Sequence, residues 1–157
     1  MEPGKPTYPF SIRKAEEADL SLLARLNRAL IEDEGSRNTM TLEMLEERMA
    51  GFLRDGFCID LFCRDGEVLG YALYSIEQED YEGAPFVCIR QFLIKKEHRR
   101  QGYGLRAVEY LINDAFPPGA VVSLDVLEIN ASGREFWEKA GFSPYYTNFK
   151  RWPDKQT

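Results

Sequence analysis

The spacing of apolar residues changes at Asp55-Gly56, and this change limits the chain to folds that combine helices with antiparallel strands. Before it, apolar residues recur at helical spacing over residues 20–30 and again over residues 42–52, which predicts two helices. After it, residues 57–63 follow a period of two, as in a strand. Asp65-Gly66 is a hairpin turn signal and predicts a returning strand over residues 68–76.

The remaining segments continue this mixture of elements. Further strands are predicted over residues 10–14, 86–95, 121–127 and 142–152, and further helices over residues 105–115 and 132–139. The predicted order is β-α-α-β-β-β-α-β-α-β in one domain, residues 1–157, with residues 1–9 as an extended lead-in. We therefore expect an α+β, or mixed-sheet α/β, fold.

Composition and charge exclude several classes of protein. The formal net charge of −6 argues against a nucleic-acid partner, because phosphate binding needs a basic face. No apolar run approaches the ~18 residues of a membrane span, and the first nine residues resemble neither a signal peptide nor an anchor, so a cytoplasmic protein is expected.

The cysteines and the single histidine carry no predicted chemistry. Three cysteines leave one unpaired in any disulfide scheme, and the spacing of Cys58 and Cys63 points them to opposite faces of one strand, so reduced thiols are expected. His98 has no second metal ligand near it in the sequence, and no metal is expected.

One strongly basic loop stands out in this acidic chain. Residues 95–106 contain five Lys or Arg and one Glu, and they lie between a predicted strand and a predicted helix. Backbone N–H groups at such a helix start have no internal partner and bind phosphate. Gly102 and Gly104 would let the backbone approach a ligand closely. The loop therefore predicts a polyanionic ligand such as a diphosphate, with a solvated turn as the alternative.

Two other phosphate motifs fit less well. A Walker loop is excluded, because no Gly-Lys-Ser/Thr follows four spacer residues after a glycine. Gly102, Gly104 and Ala107 match the glycine pattern of a dinucleotide fingerprint, and Asp125 lies near the position of its ribose-binding acid. However, residues 97–101 separate the apolar strand from the first glycine, and only two strand segments follow the loop.

At these residues the chain resembles the GNAT superfamily of N-acetyltransferases. Residues 99–104 match the family loop Gln/Arg-x-x-Gly-x-Gly/Ala, and residues 92–94 occupy the end of the family's splayed fourth strand. Asn130 and residues 137–142 (WEKAGF) are similar to a second family segment. The resemblance extends from Ile12 to about Trp152 and implies a central mixed, mostly antiparallel sheet flanked by helices.

The resemblance also implies acetyl-CoA as co-substrate and a set of residues that bind it. The backbone of residues 92–94 would pair with the pantetheine arm and polarise the thioester carbonyl, and amides from residues 100–105 would hold the pyrophosphate. Asn130 would bind the pantetheine or orient the final helix. The expected cofactor-binding residues are Phe92, Leu93, Ile94, Arg99, Arg100, Gln101, Gly102, Tyr103, Gly104, Leu105, Asn130 and Trp137.

The resemblance leaves the catalytic acid and base open. Where the family often has a proton-donating tyrosine, this chain has Trp137, whose indole cannot deliver a proton at neutral pH, so Trp137 is interpreted as a packing and cofactor-contact residue. Tyr146 is the candidate acid, with Tyr145 or water as alternatives. Asp125 is the candidate base, and the acidic residues 32–34 are its alternative.

The expected reaction is direct attack of a neutral amine of a small molecule or peptide on acetyl-CoA, and the alternative is an acyl-CoA-binding module with weakened catalysis. The acidic residues 32–34, together with Glu77, Glu79, Asp80 and Glu82, would favour a cationic acceptor if both groups border the acceptor mouth. A homodimer is left open.

Overall fold

The computed structural model describes residues 4–77 and 82–153. Its strands are β1 (Ser11–Lys14), β2 (Cys58–Arg64), β3 (Glu67–Glu77), β4 (Phe86–Ile94) and β5 (Val121–Leu124). Its helices are α1 (Leu20–Glu34), α2 (Leu42–Arg54), α3 (Tyr103–Tyr110) and α4 (Ala131–Lys139), and α3 continues into a wider π-helical turn over Leu111–Ala115. None of these helices combines the length and the apolar character needed to cross a membrane.

The five strands form one mixed sheet in the order β1-β2-β3-β4-β5. Neighbours run antiparallel except for β4 and β5, which are parallel. The β4–β5 pairing runs only from Phe86–Val121 to Ile89–Leu124. In the remainder of β4, residues 91–94 pair with β3 on one side, and none of residues 90–94 has a β5 partner on the other. The two parallel strands therefore separate, and a free backbone edge opens at the end of β4.

Each face of the sheet buries its own apolar core. On one face α1 and α2 cover Leu61, Leu73 and Leu93, and on the other α3 covers Phe62 and Ile89. The sequence-predicted opposition of Cys58 and Cys63 is confirmed, because their side chains pack against these different cores. All three cysteines are free thiols.

Local sequence explains where the elements begin and end. Thr41 caps α2 by accepting a hydrogen bond from the Met44 backbone N–H (3.1 Å). Gly35 ends α1 in the left-handed conformation (φ 67°). Asp65 and Gly66 both have positive φ (52° and 78°), as a two-residue hairpin turn requires, so this turn prediction is confirmed.

A buried carboxylate ties the first three strands together on the α3 face. Asp60 of β2 is fully buried, forms an ion pair with Lys14 of β1 and accepts a hydrogen bond from the Tyr74 hydroxyl of β3 (2.7 Å). Because an unpaired buried charge is costly, this network fixes the register of three strands.

The predicted strand over residues 142–152 is wrong. The chain after Gly141 has no regular secondary structure as far as residue 153, and Tyr145, Tyr146 and Phe149 are 87%, 70% and 91% exposed. The aromatic content of this segment is typical of a strand, but Pro144 lacks a backbone donor and the segment pairs with no sheet edge within the described residues. Its far end is held by Trp152, whose ring lies 3.8 Å from the Arg37 guanidinium.

The strand predicted over residues 121–127 is shorter than expected. β5 ends at Leu124, and Asp125 is exposed just beyond it. Asp125 is therefore neither inside a strand nor part of a buried ion pair, which corrects the sequence-based interpretation of this acid.

Candidate active site

A row of unpaired backbone donors lies at the N-terminus of α3. Gly102 is the residue before the helix and has φ 83°, and the preceding Arg100 also has positive φ (61°). The first hydrogen bond of the helix runs from the Arg106 N–H to the Gly102 carbonyl (3.2 Å). Within the described residues, the N–H groups of residues 100–105 donate no recorded hydrogen bond. They form a site for an anion, strengthened by the helix dipole.

Arg99, the first residue of the loop motif, acts as a brace. Its Nε donates to the Ile94 carbonyl (2.8 Å), and its guanidinium pairs with Asp33 of α1. The neighbouring His98 is also tied down, through its Nε2, to Glu67 of β3 (3.0 Å). The loop is therefore fixed to β4, α1 and β3 before any ligand binds. Arg100 has no ion pair among the described residues and is available to a phosphate.

The two loop glycines have different roles. A Cβ on Gly102 would meet no atom within 4 Å, so the space beside it is open to a ligand. A Cβ on Gly104 would lie 2.8 Å from the Phe136 ring of α4. Gly104 therefore permits the close packing of α4 on the start of α3. The sequence alone had instead indicated that Gly104 lets the backbone approach a ligand.

Asn130 and Trp137 hold α4 in place. Asn130 is the N-cap of α4, and its Oδ1 accepts from the Gly133 N–H (3.0 Å). The Trp137 ring packs against Phe92 of β4 (5.2 Å between ring centroids) and against Phe142 (5.2 Å). The helix-orienting role considered for Asn130 and the packing role of Trp137 both agree with these contacts.

The predicted catalytic residues Asp125 and Tyr146 are not brought to the loop by any recorded contact. Asp125 is exposed, and Tyr146 lies in the irregular segment after α4, where its ring contacts Tyr145 (6.1 Å between ring centroids). Their assignment stays a prediction.

The three acidic residues predicted as one group at the end of α1 have different environments in the structure. Asp33 pairs with Arg99, Glu32 is exposed, and Glu34 is half-buried. Burial raises the pKa of the Glu34 carboxyl above its ordinary value of 4.5, the Asp33 charge raises the pKa further, and Arg48 opposes both. Of the second acidic group, Glu77 and Glu82 are exposed, and Glu79 and Asp80 lie outside the described residues.

Sequence reasoning missed a polar cluster between the sheet and the first two helices. The hydroxyl of Tyr71, fully buried on β3, donates to Gln91 Oε1 of β4 (2.6 Å), and burial raises the pKa of this phenol. Gln91 is 6% exposed, and its Nε2 has no hydrogen-bond partner among the described residues. The signal available in the sequence was the polar pair Arg90-Gln91 inside the otherwise apolar run of residues 86–94.

Glu67, Glu97 and His98 bring possible ligand atoms within 4.8 Å of one another. The hydrogen-bonded pair of His98 and Glu67 explains this proximity, and the two carboxylates are exposed.

Taken together, the free donors at α3 and the edge of β4 beyond Ile89 form the arrangement that an extended, phosphate-bearing ligand would fit, between two separating parallel strands. Comparison with known proteins gives this arrangement a family. The sequence profile of the Acetyltransferase (GNAT) family matches residues 23–142. Among curated protein sequences, none matches the chain significantly.

Solved structures show the same fold. The crystal structure of "a possible acetyltransferase" from Clostridium difficile 630 has a TM-score of 0.71 at 20% identity, covering 94% of this chain and 99% of that one. An acetyltransferase of Trypanosoma brucei has a TM-score of 0.62 at 23% identity (90% and 98% covered). A predicted acetyltransferase of Clostridium acetobutylicum, crystallised with acetyl-CoA, has a TM-score of 0.70 at 17% identity (90% and 95% covered).

The chain belongs to the GNAT acetyltransferase family. The resemblance first noted in residues 99–104 and 130–142 is thereby confirmed, as is the expected mixed, mostly antiparallel sheet flanked by helices.

Proposed function

We propose that the protein is an N-acetyltransferase that transfers the acetyl group of acetyl-CoA to a primary amine. The observation that carries this proposal is that two sets of backbone groups have no partner strand or helical partner: the N–H donors of residues 100–105, and the edge of β4 over residues 90–94, where the β5 pairing has stopped and the Ile94 carbonyl accepts from Arg99. The first set fits a diphosphate, and the second fits the amides of a pantetheine arm as an added strand would.

Bound there, acetyl-CoA would supply a thioester whose carbonyl carbon accepts the amine nitrogen as the C–S bond breaks. The backbone of Leu93 and Ile94 would donate to the carbonyl oxygen as negative charge develops on it. Arg100 and the amides that follow it would neutralise the diphosphate. Phe92, packed under Trp137, would fix the strand edge against which the arm lies.

Glu34 is the carboxylate that we assign as general base. An ammonium must lose a proton before its nitrogen can attack, and a carboxylate with a raised pKa is a better proton acceptor than an exposed one. Glu34 is half-buried near the polar groups of Tyr71 and Arg48, whereas Asp33 is neutralised by Arg99 and Asp125 is exposed. Tyr146 is kept as the proposed acid for the departing thiolate.

The second candidate function, a CoA-binding module with weak catalysis, is favoured by Trp137, which packs among aromatic rings and cannot donate a proton. Release of free CoA thiol from acetyl-CoA in the presence of amine panels tests both. An acetyltransferase gives amine-dependent thiol release and a product whose acetyl group resists hydroxylamine, as an amide does. Tight CoA binding with no amine-dependent release would leave only the binding module.

A further inference from the structure

A β-bulge in β4 turns two consecutive side chains towards α1 and α2. The pairing of β3 with β4 shifts between Leu73–Gln91 and Tyr74–Ile89, so Arg90 is the extra residue. Gln91 shares the face of its partner Leu73, which packs in the α1–α2 core. The Arg90 guanidinium lies 5.5 Å from the Phe52 ring centroid of α2. Both side chains therefore reach the same face.

A second cation approaches the same ring from α2 itself. The Arg48 guanidinium lies 5.6 Å from the Phe52 ring centroid, and its Nη1 donates to the buried Asn27 Oδ1 (3.5 Å). Burial, followed by the charge of Arg90, lowers the pKa of Arg48, while Tyr71 and Glu34 act in the opposite direction. Neither arginine has a carboxylate within ion-pair distance in the described part of the chain.

Two deficits thus occur together. Arg48 is partly desolvated and Arg90 lies exposed beside the same ring, and neither has a carboxylate partner among the described residues. Within the same residues, the buried amide N–H2 of Gln91 has no acceptor. Native proteins rarely leave a buried donor unsatisfied, and such a group calls for an explanation. Tyr71 links the two, since its hydroxyl bonds Gln91 and its pKa responds to Arg48 and Glu34. A single oxyanion, with several acceptor lone pairs and a negative charge, would satisfy both.

We propose that Arg48, Arg90 and Gln91 bind an oxyanion, carboxylate or phosphate, carried by the acceptor amine. This inference rests on the proposed N-acetyltransferase function and names the chemical class of its acceptor: a small amine that also carries a negative group. Gln91 precedes Leu93 by two residues, about 7 Å along a strand, so the anion would sit one short molecule's length from the expected acyl group.

The charges around the cluster predict the orientation in which the acceptor would bind. The anionic end meets the arginines and the Gln91 amide, and the amine end meets Glu34, the one carboxylate whose charge acts on both Arg48 and Tyr71. The sequence alone suggested a cationic acceptor on the condition that both acidic groups border the acceptor mouth. The fold instead ties Asp33 to Arg99, and it gives Arg48 and Arg90 no carboxylate partner among the residues that the structure describes.

The first arm of the test compares paired acceptors in the thiol-release assay. Glycine, β-alanine and γ-aminobutyrate are each paired with their amides, and O-phosphoethanolamine is paired with ethanolamine. We expect kcat/KM to be about tenfold or more higher for the member with the carboxylate or phosphate in at least one pair. The carboxylate and phosphate pairs identify which oxyanion is preferred. Equal or higher kcat/KM for every member that lacks the anionic group would overturn the inference while leaving the N-acetyltransferase function intact.

The second arm measures binding without turnover. Protein saturated with CoA, so that the loop is occupied, is titrated at constant ionic strength with inorganic phosphate and with N-acetylglycine, using calorimetry. Arg90→Gln and Gln91→Leu should each weaken the tighter of the two probes about tenfold or more, whereas Arg54→Gln, an exposed arginine on the same helix as Arg48, should not. Melting temperatures check that each variant is folded.

The two arms separate the two proposals. Anion binding that depends on Arg90 and Gln91, without any amine-dependent thiol release, would refute the N-acetyltransferase function and keep the anion site. Failure of both probes to bind CoA-saturated protein, or binding equally weakened by Arg54→Gln, would refute the anion site whatever the activity.

Discussion

Gly102 combines two properties that a ligand site needs: a backbone conformation that L side chains rarely adopt (φ 83°) and empty space where a Cβ would be. The chain contains a matched position at Gly119, which has φ 76° and is equally open but precedes β5. The two positions therefore separate the cost of backbone strain from the loss of a binding surface.

Gly102→Asp should weaken acetyl-CoA binding about tenfold or more, because it places a carboxylate among N–H donors that hold phosphate. Gly119→Asp should lower the melting temperature about as much as Gly102→Asp does, because both residues have positive φ. It should leave the affinity for CoA unchanged. Calorimetric titration of CoA into both folded variants is the measurement. Normal affinity in Gly102→Asp would show that the loop does not hold the diphosphate.

Glu34 links activity to stability through its pKa. In the folded protein the pKa of the Glu34 carboxyl is raised above 4.5, so its protonated form favours the fold. This contribution to stability is present below about pH 4.5 and is lost as the pH rises through the pKa of Glu34 in the folded protein. Glu34→Gln keeps an uncharged group at all pH values. It should raise the melting temperature at pH 7.5, by an amount that shrinks towards pH 4.5, and lower kcat about 10²-fold.

Glu47→Gln, on the exposed surface of α2, is the control and should change neither the melting temperature nor kcat appreciably. A Glu34→Gln enzyme with unaltered kcat would remove Glu34 as the base and return Asp125 to consideration.

Substitutions of Trp137 and Tyr146 test which residue protonates the departing thiolate. Trp137→Phe should retain a substantial part of kcat, because the ring packs against Phe92 and Phe142 and delivers no proton. Tyr146→Phe should lower kcat about 10²-fold if this exposed hydroxyl protonates the thiolate. Steady-state kinetics at saturating acetyl-CoA decides between them. The assignment of Tyr146 fails if its variant is fully active.

At the scale of elements, α4 is the part of the site that depends most on a single cap. Asn130 holds its first turn, and a Cβ on Gly133 would lie 2.3 Å from Asn130 Nδ2, so the two residues require each other. Through Phe136, α4 packs on Gly104 of the loop. Loss of the Asn130 cap should therefore weaken binding at the proposed cofactor site.

Asn130→Ala should cost about 1 kcal/mol of unfolding free energy and raise KM for acetyl-CoA several-fold. Thr41→Ala removes the corresponding cap of α2, whereas the loop is tied to β4, α1 and β3, so it should cost about the same stability with KM unchanged. Chemical denaturation and steady-state kinetics on both variants compare the two effects. Equal KM values would mean that α4 does not position the loop.

The elements also show what sequence could and could not predict. Periodicity located α1, α2 and the β2–β3 hairpin, because each is set by residues close together in the chain and by the turn at Asp65-Gly66. The separation of β5 from β4 after Ile89 and the bulge at Arg90 depend on partner strands distant in sequence. For the same reason the segment after Gly141 was predicted as a strand, although its aromatic residues find no sheet edge.

The same difference between local and long-range determinants applies to the candidate site. The loop of residues 99–104 is a contiguous motif and could be found in the sequence. The cluster of Arg48, Tyr71, Arg90 and Gln91 comes from three elements and is assembled only by the fold, so the polar pair at residues 90–91 marked one part of it and no local pattern indicated the whole.

At the scale of the whole molecule, charge is unevenly distributed. The chain carries a net charge of −6, yet residues 95–106 hold five of its 20 Lys and Arg. The acidic remainder repels polyanions in general, so only a ligand that also makes the backbone contacts of β4 and α3 should bind well. This distinguishes CoA from other nucleotides with a diphosphate.

Acetyl-CoA should therefore raise the melting temperature, and NAD and ATP at equal concentration should not. A ligand at a hundred times its Kd stabilises a native protein by about 2.7 kcal/mol, which for a chain of this size is about 5–10 °C. The increase should fall as ionic strength rises, because part of the binding comes from the basic loop. Thermal unfolding with each nucleotide at two salt concentrations tests this. Equal stabilisation by NAD would revive the dinucleotide-binding interpretation of Gly102 and Gly104. An increase indifferent to salt would leave the pantetheine contacts along β4 as the main source of affinity.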